Sequence, residues 1–135
     1  MSPIPPSTNA VELGKLIHLP AETRSVLWQA GTVGSVGLGP TDWRLDAVFE
    51  FQPGAGRKIL TAMPTLPGPG IFPGSFLQDW YPAGLVRLFQ TNSDGTLTLR
   101  LPSRDASLFY KSPLLDGFAL PLADEDRIFI HLDTK

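Results

Sequence analysis

The chain has no cysteine among its 135 residues. Disulfides, thiol nucleophiles, iron–sulfur ligation and thiolate zinc sites are therefore excluded. Charge is sparse, at 18% of residues, and nearly balanced, with 11 basic against 13 acidic residues and a formal net charge of -2. That balance argues against nucleic-acid or anionic-membrane partners, which demand concentrated positive charge. No apolar run reaches the ~18 residues of a membrane span, so no membrane association is expected. The opening residues carry no Lys or Arg and place Pro3, Pro5 and Pro6 where a secretory leader has its apolar stretch. A cytoplasmic protein of bacterial type is the expectation, and the missing cysteines fit a reducing compartment.

Proline and glycine are abundant, at 14 and 13 residues, and they punctuate the chain. Three prolines near the start predict a mobile Pro-rich tail over residues 1–9, followed by one globular domain over 10–135. Four glycines between Gly31 and Gly39 mark a flexible connection. Between Pro64 and Gly74, four prolines and three glycines exclude a helix or a central strand. An irregular loop of that length in a small domain is often functional. Its apolar Leu66, Ile71 and Phe72 are expected to anchor it to the surface.

Between these breaks the periodicity is readable. Residues 43–51 give the clearest strand, with Trp43, Leu45, Ala47, Phe49 and Phe51 on one face and Arg44, Asp46 and Glu50 on the other. Residues 23–29 read as a second strand and 56–63 as a short helix closed by Pro64. Ser75 and Gln78 have capping-box spacing, which predicts a helix from Phe76; Pro82 either kinks it or starts another. Leu85, Val86, Leu88 and Phe89 form a helical stripe. Asn92-Ser93-Asp94-Gly95 is a turn, and residues 96–101 alternate again. Two apolar runs, 117–122 and 127–132, flank Ala123-Asp124-Glu125-Asp126 and read as a hairpin. The fold expected is α+β, a mainly antiparallel sheet of about five strands with two or three short helices on one face.

Catalytic and metal chemistry find little support. Asn92, Asp94 and Gly95 fit the middle of a calcium-loop pattern, but its terminal ligand positions fall on Gln90 and Leu101. The Gly31–Gly39 stretch lacks the lysine of a phosphate loop and runs through Pro40 into a strand. His18 and His131 are far apart; Asp133, two residues beyond His131, shares its strand face, and a hydrogen-bonded sheet histidine is the plainer reading than a metal ligand. Ser75 has no nucleophile-elbow glycines around it. Tyr110, Lys111 and Ser112 are adjacent and would not converge from a strand. No catalytic residue, cofactor or metal is expected.

Aromatic side chains beside breakers stand out instead. The segment 66–81 is the candidate recognition surface, with Phe72, Trp80 and Tyr81 as partner-binding anchors. The competing reading places those rings in the core beneath the loop, most of all Trp80. The function expected is a small non-enzymatic domain that binds another protein, with a cognate inhibitor such as a bacterial toxin-immunity protein as its specific form. Two alternatives are an enzyme or small-ligand domain with its site under the 64–74 loop, and an accessory subunit that pairs through a sheet edge.

Overall fold

A computed structural model of the chain describes residues 6–33, 42–67, 70–112, 114–122 and 126–134. The elements run α1 (Ala10–Gly14), β1 (Thr23–Val33), β2 (Asp42–Phe51), α2 (Ala55–Ala62), β3 (Ile71–Phe72), α3 (Ala83–Val86), β4 (Phe89–Thr91), β5 (Leu97–Leu99), β6 (Asp116–Pro121) and β7 (Arg127–Asp133). Single 3-10 turns form at Gly74–Phe76 and Ser107–Phe109. The α+β class holds, with seven strands among the described residues divided between two antiparallel sheets, β1-β2-β7-β6 and β3-β5-β4.

The alternation of β2 explains the layering. Leu45, Ala47, Phe49 and Phe51 are all buried, packed with Ile128 and Ile130 of β7 under α1, α2 and the 107–109 turn. Phe49 stacks on Phe51 and on Phe109, both with centroids at 5.3 Å. Trp43, on the apolar face by periodicity, lies at the strand's end and is 50% exposed. The opposite face of the sheet is covered too. Leu120 and Phe129 meet Phe76, Tyr81, Leu85, Phe89 and Leu97 in a second core, so α3 sits with the small sheet. Asp46, on the polar face by alternation, is consequently buried.

Local signals account for several boundaries. The hairpin strands β6 and β7 pair antiparallel, as expected; residues 123–125 of their connection lie outside the described residues. Asp126 closes that region by accepting hydrogen bonds from the Gly54 and Gly56 amides, which caps α2 from a distant part of the chain. The Asn92–Gly95 turn joins β4 to β5, with Gly95 at φ 88°. In that turn the Asp94 carboxylate accepts from Thr96, whose hydrogen bonds hold it below the usual carboxylate range.

Three expectations are corrected. The Ser75–Gln78 capping box does not form: Ser75 lies inside the one-turn 74–76 element, no side chain caps it, and Leu77 is already extended. Helix resumes only after Pro82, so Trp80 occupies a turn. The 64–74 segment is held by more than side chains, because Ile71 and Phe72 pair with Thr98 and Leu97 as an edge strand. The strand expected over 23–29 extends to Val33, while residues 34–41 of the glycine-rich connection lie outside the described residues. Of the expected mobile tail, residues 1–5 also lie outside them. Ser7 exchanges two backbone hydrogen bonds with Trp28, and Asn9 caps α1.

Candidate functional site

Sheet register places one row of side chains across the large sheet: Gln29, Asp46, His131 and Phe118 are successive cross-strand partners. All belong to the face turned toward the small sheet. The next row toward the sheet's end is Gly31, Arg44, Asp133 and Asp116. Polar groups from four strands thus converge between two aromatic cores.

Asp46 is 1% exposed and is the only buried charged side chain among the described residues. Its Oδ1 lies 2.6 Å from His131 Nδ1. A carboxylate accepts, so Nδ1 donates, and Nε2 is the ring's other nitrogen. Nε2 lies 3.6 Å from Asp133 Oδ2, and Arg44 Nε lies 3.9 Å from Asp46 Oδ2. The imidazole is packed between rings, with the Phe76 centroid at 5.2 Å and Phe118 at 5.6 Å. The Tyr81 hydroxyl is buried with the Asp46 carboxylate beside it. Burial first, then the charge of Asp46 and a hydrogen bond to it, push its pKa well above the ordinary tyrosine range, while Arg44 opposes them.

Over this row opens a cleft of about 740 Å³. Its walls are Leu66, Phe72, Pro73, Ser75 and Phe76 on the loop side, and Trp43, Arg44, Asp116, Phe118, His131 and Asp133 on the sheet side. The cleft therefore lies against Leu66, Phe72 and Pro73. Gly117, at φ 147°, lets β6 pass against β7 here: a Cβ would stand 1.9 Å from the His131 carbonyl oxygen.

The three expected anchors do not share one surface. Phe72 is half-buried, lines the cleft and touches Phe76, Phe89 and Phe118. Trp80 is half-buried over a separate groove and donates from Nε1 to Gln29 Oε1 at 3.2 Å. Tyr81 is 6% exposed and belongs to the second core. Tyr110 and Lys111 diverge, the first donating to the Gly117 carbonyl and the second to that of Gly14. His18 is exposed and apart from His131.

Reasoning from sequence missed Asp46, Trp43, Asp116 and Phe118 as parts of one site. The His131–Asp133 spacing was visible, but the stronger partner of His131 stands on another strand. No family model, curated protein or solved structure matches this chain. Among the described residues, no helix is long and apolar enough to cross a membrane, and no three metal-ligating side chains cluster to hold an ion.

Proposed function

We propose that this chain is a binding domain for another protein, a cognate inhibitor of the toxin-immunity kind, and that the partner docks over the cleft under the 66–76 segment. One observation carries the reading: large apolar side chains stand exposed around a preformed concavity. Trp43 is 50% exposed at its wall, and Ile71, beside Phe72, is 58% exposed. Exposed aromatics at a concave site are the usual anchors of protein recognition. Phe72 keeps the anchor role expected of it, whereas Trp80 and Tyr81 brace the loop from behind.

The accessory-subunit alternative is less well supported. Both edges of the large sheet already carry bridges, Ser7 on Trp28 and Arg104 on Ala119, which shortens the edge available to a neighbour. The enzyme alternative draws on one specific observation, the Asp46–His131 pair with His131 lining the cleft. A His131→Gln variant tests it: loss of a hydrolytic activity on a panel of esters and amides would favour that reading.

The test of the main reading uses affinity capture from the source cell with the wild-type chain and with Ile71→Ala, followed by calorimetry on the purified partner. Ile71 is exposed, so its truncation leaves stability nearly intact and should weaken binding by roughly 1 kcal/mol or more. A partner bound equally by both chains would place recognition elsewhere.

A further inference from the structure

A sheet edge is a template for a further strand, and among the described residues every edge but that of β1 is closed. The small sheet ends on β3 and β4, two and three residues long, too short to template another strand. Along β6, alternate residues point their backbone groups outward. Ala119 exchanges both of its own with Arg104, the Gly117 carbonyl accepts from the Tyr110 hydroxyl, and Pro121 has no N–H to offer.

β1 differs. It runs for 11 residues along the other edge of the large sheet. From Ser25 to Val33 it carries no charge and no proline, the residue types that usually blunt an edge. Its register with β2 shifts only at the start, between Thr23 and Ser25. Trp28 exchanges two backbone hydrogen bonds with Ser7, at 2.7 and 2.9 Å, so its backbone groups point away from β2. The alternation of an antiparallel ladder turns Val26, Ala30 and Thr32 the same way. Val26 is buried, but Ala30 is half-buried and has no partner on that side among the described residues. One strap therefore guards this edge. It is Ser7 to Asn9, pinned again where the Trp28 indole Nε1 donates to the Asn9 carbonyl at 3.0 Å.

We propose that β1 pairs antiparallel with β1 of a second copy of this chain, and that the Ser7 strap restrains the pairing by occupying Trp28. About a two-fold axis at Ala30, Ala30 faces its own copy and Trp28 faces Thr32, so the outward backbone groups of Trp28, Ala30 and Thr32 are all paired. The edges themselves select this occupant. Antiparallel pairing of one strand with itself is self-complementary, and the closed β6 edge gives a third copy nothing to add to. The assembly then stops at a dimer with one continuous sheet. No described residue of β1 lines the cleft, so this surface does not depend on what the cleft binds.

Sedimentation velocity over a concentration series measures the pairing in the full chain, in Ser7→Pro, and in Ser7→Pro combined with Ala30→Pro. Ser7 belongs to neither core, and its replacement removes the donor of the 2.7 Å bond, which loosens the strap. Ser7→Pro should tighten dimerisation by about tenfold, since each copy then gives up one hydrogen bond fewer in order to pair. Ala30→Pro deletes an N–H that faces away from β2, so the β1–β2 ladder stays whole and the loosened chain should return to monomer. Hydrogen exchange reads the same surface without that second substitution. The Ala30 amide should exchange freely in the monomer and become protected in the Ser7→Pro dimer. Dimerisation of Ser7→Pro no tighter than the parent's, a dimer that persists with Ala30→Pro, or a dimer whose Ala30 amide stays unprotected would each overturn the β1 assignment.

Discussion

Asp46→Ala is the perturbation that most directly probes how the site is built. The carboxylate is 1% exposed and its partners are specific: His131 Nδ1 at 2.6 Å and Arg44 Nε at 3.9 Å. Its removal orphans a buried imidazole N–H, which costs about 1–3 kcal/mol. It also leaves the Arg44 cation without its buried counter-charge, and breaking such a pair costs about 3–5 kcal/mol when both members are fully enclosed. His131 and Arg44 side chains retain 15% and 31% exposure, so the combined loss falls toward the lower figure. A cost of about 3 kcal/mol lowers the melting temperature of a domain this size by roughly 10 °C. Asp46→Asn preserves an acceptor and should cost less. The double variant Asp46→Leu with His131→Leu should recover part of the loss, since apolar replacement of both partners removes the orphaned group. The assay is urea unfolding followed by circular dichroism, with Asp46→Leu, His131→Leu and the double variant forming a cycle. A single Asp46→Ala cost below about 1 kcal/mol, or strictly additive effects in the cycle, would refute the buried pairing.

Further outcomes are expected elsewhere in the molecule. Phe49→Ala, which empties a fully buried site stacked on Phe51 and Phe109, should cost about 3–5 kcal/mol in denaturant unfolding. Glu50→Ala on the opposite face loses only a hydrogen bond from Ser25 and should cost under about 1 kcal/mol; equal costs would contradict the facing of β2. The chain's two tyrosines both have raised pKa values, chiefly through burial. Their contribution to stability is complete below pH ~10, the unfolded value, and is lost as pH rises above it. An alkaline ultraviolet titration should therefore show tyrosinate delayed beyond pH ~10 and appearing with unfolding, whereas early reversible ionisation of either ring would contradict its burial. Gly117→Ala drives a methyl group into the His131 carbonyl and should disrupt the β6–β7 pairing, seen as lost amide-exchange protection in both strands.

Much of the scaffold was legible because it follows local rules. The period-two pattern of β2, the paired apolar runs of β6 and β7, the Asn92–Gly95 turn and the helix before Pro64 each rest on residues close in sequence. The small sheet was not legible: β3 has two residues and β4 and β5 three each, too short to display a period. The 74–76 turn misled for a related reason, since capping-box spacing at Ser75 speaks for a single turn and the chain is already extended at Leu77. The site was hidden by geometry. Asp46 reads as a solvent-facing residue until a second layer covers that face, and its bond to His131 depends on the register between β2 and β7. Phe72 lines the cleft while Tyr81, equally prominent in sequence, packs in the second core, and nothing local to either residue distinguishes the two placements.

The central claim is that recognition occurs at the cleft between the 66–76 segment and the large sheet. Calorimetric affinity of the purified partner for Phe72→Ala and Ile71→Ala, with Val11→Ala as the control on the far side, measures it. The account predicts a loss of roughly 2 kcal/mol or more for Phe72→Ala, roughly 1 kcal/mol or more for Ile71→Ala, and no change for Val11→Ala. Full affinity in both cleft variants, or a loss confined to Val11→Ala, would contradict it.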